Sequence, residues 1–371
     1  MKIKVSILMA MVLFLGIACT QQSKRGAIMG DTLTLKDYEL VGDVKSVKEK
    51  SYGTGTIDGE PTNILYNEAY SEFDESGRLI YEKSDGEDGG YIASYEYDAE
   101  GKLIKFVQSS ANEEETVTLK TYDDQGRLIR SDLTIPDSVP IVLSDHYKYD
   151  QNNNLIESTG MSEGSMGMYK TVNVYDEKNR LIETLEDSGE DFPIKTIFAY
   201  NDIDSLVNAK TYIPSGLLLE EVIHSYDEKG CKVTTEHRSY DEQGNCSYAR
   251  VEHYDPSGAI TLQEDYSSEQ LSYKLEKIYD AKGLLVEVVH YSLSDDNVMD
   301  VDSRTKYKYD DKGNSIEEVS DYPRQGNSQT LKRVYKYDRK GNWIRLELTQ
   351  IYDGEVTPLK NVTEREITYH N

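Results

Sequence analysis

Apolar and polar residues alternate along this chain in short runs, and no segment keeps a helical period for long. Thr171-Val172-Asn173-Val174-Tyr175 and Lys195-Thr196-Ile197-Phe198-Ala199-Tyr200 read as strands that end in tyrosine. Leu128-Ile129, Leu155-Ile156, Leu181-Ile182 and Leu206-Val207 read as the starts of the strands that return. Between ending and start stands a motif, Tyr-Asp-x-x-Gly-x-Leu. Its copies begin at Phe73, Tyr97, Tyr122, Tyr149, Tyr175, Tyr200, Tyr226, Tyr254, Tyr279, Tyr309 and Tyr337, in steps of 24, 25, 27, 26, 25, 26, 28, 25, 30 and 28 residues. Self-similarity at that period marks an array of supersecondary units, each too small to bury its own apolar face.

The motif glycine is Gly77, Gly101, Gly126, Gly230, Gly258, Gly283, Gly313 or Gly341, replaced elsewhere by Asn153, Asn179 and Asp204. These residue types enter the left-handed region at low steric cost, so the position calls for positive φ. A hairpin loop built on a type I turn and closed by a left-handed bulge residue has that requirement, and the Asp after each Tyr suits its entry. With Ala99-Glu100-Gly101 as the loop, Tyr97 lies opposite Leu103 and Glu96 faces Ile104. Loop-like stretches at 85–90, 112–115, 136–140, 160–167, 214–216 and 294–302 close the other edge. An extra motif at Tyr240-Asp241-Glu242-Gln243-Gly244, 14 residues from Tyr226 and from Tyr254, falls at that second edge. The expectation is an all-β fold, a long antiparallel meander of roughly 22–24 strands in a curled sheet or open shell, about 100 Å wide when unrolled. No helix longer than two turns is expected after residue 37.

The unbroken repeat argues for one elongated domain over residues 38–371. A net charge of −27, spread without long single-sign blocks, disfavours nucleic acid, which needs a basic footprint. Ahead of the domain, Lys2 and Lys4 precede an apolar run that ends at Gly16-Ile17-Ala18-Cys19. The run suits a signal peptide over residues 1–18. Its end resembles a bacterial lipobox, with Gly16 in place of the usual Leu; a plain secretory signal is the alternative. Residues 19–37 then form a lipidated Cys19 and a polar tether. Two acyl chains hold a protein stably at a membrane, so the membrane is an expected partner through the anchor. The residues after Cys19 carry no Asp resembling an inner-membrane retention signal and no acidic cluster resembling a surface-export tag. They point to the outer membrane and a periplasm-facing pose, with surface exposure left open.

Candidate chemistry is sparse. Cys231 and Cys246 flank the extra half-unit; an oxidising compartment permits a disulfide, and the alternative is a small core residue beside a turn. His224, His237 and His253 surround the same half-unit without a metal-binding spacing, and no calcium-loop, P-loop or nucleophile-elbow pattern occurs, so no metal and no cofactor is expected. The 30 tyrosines serve as a packing ladder at the motif positions, with hydroxyls reaching solvent. Off-motif aromatics such as Tyr169, Phe192, Tyr212, Tyr266, Tyr273, Tyr291 and Tyr322 are the better recognition candidates. Variable loops on a regular scaffold are where recognition resides. The loop carrying Met161, Met166 and Met168 is the candidate binding site, because methionine adapts to irregular apolar partners.

Tyr95-Glu96-Tyr97-Asp98-Ala99-Glu100-Gly101-Lys102-Leu103 resembles the YD (RHS) repeat, and the layout is similar to small YD-repeat lipoproteins of Gram-negative bacteria. Gly42-Asp43-Val44-Lys45-Ser46-Val47 looks like their opening strand. Tyr337-Asp338-Arg339-Lys340-Gly341-Asn342-Trp343 and Glu364-Arg365-Glu366-Ile367-Thr368-Tyr369 look like their closing pair. The resemblance implies an all-β meander, binding of an envelope protein or a glycan, and no catalytic residues. The expected role is that of a non-enzymatic, lipid-anchored binding or scaffold protein, with a carbohydrate-binding protein as the alternative and an enzyme with an unrecognised site third.

Overall fold

The left-handed position of each motif turn sets the sheet. Gly101 has φ +87° and Gly283 +81°, while the non-glycine copies Asn153, Asn179 and Asp204 sit at +69°, +63° and +63°. Gly101 N–H donates to Asp98 O (3.0 Å) and Asp98 N–H donates to Lys102 O (2.9 Å), the type I turn with a left-handed closing residue. The Asp98 carboxylate accepts a further bond from Lys102 N–H at 2.8 Å. Tyr97 pairs with Leu103 as expected. Glu96, however, faces Lys105 and not Ile104, because the bulge absorbs one residue of the returning strand.

A computed structural model describes residues 32–57, 60–86, 89–110, 113–161, 167–189, 192–294 and 297–371. From β1 (Val44–Ile57) to β24 (Glu355–Tyr369), 24 antiparallel strands each pair with the next. β24 then returns to β1, with Tyr369 opposite Val44 and Val362 opposite Tyr52. The opening and closing strands of the sequence are thus hydrogen-bonded to each other, and the sheet is a closed barrel, not an open strip. Closure removes both sheet edges. Twenty-four strands at about 4.8 Å spacing give a circumference of at least ~115 Å and a diameter near ~40 Å, too wide for opposite walls to touch.

Full burial is accordingly concentrated where the barrel closes. Val44 and Leu79 are 0% exposed, Phe73 1% and Trp343 3%. Elsewhere exposed positions alternate with the motif tyrosines, as Lys306 and Lys308 do with the half-buried Tyr307 and Tyr309. Side chains fan apart on the convex face of a cylinder and crowd on the concave face, so the tyrosines line the inside.

The folded unit begins at Thr32, so residues 32–37 belong to the barrel and not to the polar tether. Thr34 bridges to Arg78, and a 3-10 helix, Leu35–Tyr38, packs its leucine and tyrosine on the core around Phe73. Among the described residues it is the only helix. The extra half-unit also falls where expected. Its turn joins β15 (Lys232–Tyr240) to β16 (Cys246–Tyr254) at the edge opposite the other motif turns. This placement rules out the disulfide: Cys231 precedes β15 and Cys246 follows it, so a strand of about 30 Å separates them. Both thiols are free.

Candidate functional site

The two rims of the barrel differ in kind. On the motif rim every unit is stitched to the one before. The Tyr97 hydroxyl donates to Leu79 O at 2.7 Å, Tyr122 to Leu103 O at 2.8 Å and Tyr200 to Leu181 O at 2.8 Å. Several of the rings also lie on a cation from the preceding turn: Arg78 stands 4.7 Å from the Tyr97 centroid, Arg180 4.7 Å from Tyr200 and Lys312 4.6 Å from Tyr337. Most of these hydroxyls bond backbone, while Tyr337 donates to the Asp310 carboxylate (2.5 Å) and Tyr254 to Glu252 of its own strand (2.7 Å), and burial pushes the Tyr97 phenol up to about 12. The basic residue beside the glycine was the available signal for this contact. Donor and ring are both committed, which makes this rim structural.

The other rim is irregular and apolar. Val139 is 76% exposed, Met168 68% and Phe192 57%, and Ile141, Val142 and Met161 are exposed beside them. Met168 pairs with Met161 across β9 (Leu155–Met161) and β10 (Met168–Tyr175). Two of the three methionines thus meet at this rim, while Met166 lies outside the described residues. Among the off-motif aromatics, Phe192 is free to be touched. Tyr169 instead donates to Asp145 (2.9 Å) and Tyr291 to Glu276 (2.8 Å).

The walls are ionic on both faces. Outside, Glu157 bridges Lys148 (2.5 Å) and Lys170 (2.8 Å), and Lys308 pairs with Glu317 at 2.5 Å. These cations pull the Glu157 carboxyl down to about 2. Inside, Arg250 grips Asp265 with two bonds of 2.9 Å, and the Tyr273 hydroxyl meets His290 Nδ1 at 2.6 Å. Burial lowers the His290 pKa, so the ring is neutral at neutral pH. His224 and His237 share the inner face, whereas His253 faces outward toward Glu264. Charges along the strands also argue against a lipid-facing wall, where each cation at the bilayer midplane costs about 2–4 kcal/mol.

No protein-family model and no curated protein matches the chain. Solved structures show partial likeness. A TcdB2–TccC3–Cdc42 complex aligns over 81% of this chain and 23% of its own at 14% identity and a TM-score of 0.23. A Tc holotoxin pore from Photorhabdus luminescens aligns over 81% and 24% at 10% identity and a TM-score of 0.19. A porin-like protein from Bacteroides uniformis aligns over 88% and 96% at 10% identity and a TM-score of 0.24. The chain spans about a quarter of the length of the toxin chains it matches. Likeness at these scores assigns no function.

Proposed function

We propose that the protein is a non-enzymatic, lipid-anchored scaffold of the cell envelope whose barrel presents its irregular rim to a protein partner. The observation that carries this reading is the gathering of exposed apolar side chains at that rim, Val139, Ile141, Val142, Met161, Met168 and Phe192. The motif rim is occupied with its own stitching, and the exposed apolar residues of the walls, such as Leu119, Ile197 and Val334, stand among paired charges. Hydrophobic positions ringed by polar surface are where partners dock. The anchor rests on the charge-then-apolar leader that ends at Cys19.

Two measurements test the reading. A photo-crosslinking residue at Met168 should yield one discrete adduct in intact envelopes, and the same residue at Ser257 on the motif rim should yield none. Adducts from Ser257 alone would place recognition on the wrong rim. Metabolic labelling with palmitate should be lost in Cys19→Ser, and persistent labelling would remove the anchor.

A further inference from the structure

The apolar side chains of the irregular rim stand among carboxylates that have no cation beside them. They lie on four successive turns, which join β5 (Leu103–Ser110) to β6 (Thr116–Tyr122), β7 (Leu128–Ile135) to β8 (Ile141–Tyr149), β9 to β10, and β11 (Leu181–Asp187) to β12 (Ile194–Tyr200). The connecting segments, 111–115, 136–140, 162–167 and 188–193, hold three, one, one and two acidic residues and no Lys or Arg. Glu186 and Asp187 extend the series at the end of β11. The motif turns of the same stretch carry Arg127, Lys178 and Arg180, so the two rims differ in charge as well as in shape.

Glu113, Glu114, Glu115 and Glu186 are exposed, and none has an ion-pair partner among the described residues. The lysines that follow these turns, Lys170 and Lys195, are taken by Glu157 (2.8 Å) and Glu183 (2.7 Å) on the walls. The turns also touch. A Cβ on Gly189 would stand 2.5 Å from Met168 O, so the turn after β11 lies against the backbone at Met168. The Asp187 carboxylate accepts Gly189 N–H at 3.0 Å, which brings carboxylate and methionine to one place.

Like charge repels a second copy of this chain, an acidic protein and an anionic lipid surface, whereas opposite charge steers and orients a partner. The exposed apolar side chains supply the contact itself. Turns two strands apart are spaced about 10 Å, so four of them span about 30 Å, the length of roughly nine extended residues. We propose that this stretch of rim docks a basic polypeptide segment. Its large apolar side chains would rest on Val139, Met168 and Phe192, and its lysines or arginines on Glu113, Glu114, Glu115 and Glu186. The proposal rests on the rim being a docking surface, as argued above, and adds the chemistry of what docks.

The test uses the full folded chain and three fluorescent peptides of about twelve residues, composed of Lys and Leu, of Glu and Leu, or of Lys and Ser, read by anisotropy. The Lys–Leu peptide should bind with a Kd of about 1–100 μM in 50 mM salt and at least ~10-fold more weakly in 500 mM salt. The other two should bind at least ~10-fold more weakly than it does. A quadruple Glu113→Gln, Glu114→Gln, Glu115→Gln, Glu186→Gln variant should lose about tenfold, and so should a Met168→Ser, Phe192→Ser variant. Glu75→Gln, Glu100→Gln, Glu177→Gln and Glu228→Gln together remove the same charge from the motif rim and should change binding less than ~2-fold. All these side chains are exposed, so the three variants should melt as the wild type does. No binding of the Lys–Leu peptide, equal binding of either contrast peptide, or an equal loss in the motif-rim variant would each overturn the proposal. A discrete adduct from Met168 without Lys–Leu binding would leave the docking rim standing and remove only the basic partner, so the two readings fail separately.

Discussion

At the scale of single residues, the turn glycine and the turn aspartate carry the repeat. A Cβ on Gly101 would run into the Arg78 guanidinium at 2.4 Å, whereas Gly283 has nothing within 4 Å, so Gly283 isolates the backbone effect. Gly283→Val should cost about 1–2 kcal/mol and Gly283→Asn well under 1, because β-branching clashes in the left-handed region that Asn tolerates. Equal losses in melting temperature would deny that φ is the constraint. The aspartates predict an acid limb. Backbone and guanidinium bonds from Arg127 hold Asp123 below its ordinary 3.8, and Arg180 does the same for Asp176. A depressed carboxyl stabilises the fold above its unfolded pKa, and that stability is lost as pH falls through the folded value. Melting temperature should therefore drop from about pH 4 downward, and the drop should be shallower in a double Asp123→Asn, Asp176→Asn variant. An unaltered acid slope would mean that these carboxylates do not hold the turns.

At the scale of the element, the tyrosine is the joint between hairpins. Tyr200→Phe removes the bond to Leu181 O but keeps the ring on Arg180, so urea unfolding should show a loss of about 0.5–1.5 kcal/mol. No loss would return the hydroxyl to solvent, where the packing ladder alone would put it. That contact was not legible from the repeat, because a hydroxyl's partner depends on the offset between neighbouring hairpins. The hairpins themselves were legible: the left-handed residue, the Tyr97 to Leu103 pair and the reversed turn after Tyr240 all follow from local turn chemistry. A motif-less turn from Ile213 to Leu217, only a loop by its sequence, makes the same hydrogen bonds with Gly216 at φ +85°. Pro214-Ser215-Gly216 supplies the geometry without the Tyr-Asp signature.

At the scale of the whole molecule, closure was the feature that sequence left open. It depends on the twist and stagger accumulated over 24 strands, which no single unit encodes. The residues at the seam nevertheless explain it once seen. Arg365 lies 3.4 Å over Trp343 and pairs with Glu49 at 2.9 Å, and Asn342 holds both the N–H and the carbonyl of Val41. This seam also fixes where the chain enters. Leu35 N–H donates to Gly77 O and Val41 N–H to Asn342 Oδ1, both at motif turns. With the anchor proposed above, thirteen residue steps separate Cys19 from Thr32, at most ~45 Å. The chain enters at the motif rim, so that rim should sit nearer the bilayer and the irregular rim should point away, open to a partner. Fluorophores on single thiols measure this on vesicles carrying a headgroup quencher. The exposed Cys231 marks the motif rim, and Ser215→Cys marks the other in a chain with Cys231→Ser and Cys246→Ser. The Cys231 label should be quenched more strongly, and the difference should vanish in Cys19→Ser. Stronger quenching at Ser215→Cys would invert the pose and turn the apolar rim toward the lipid.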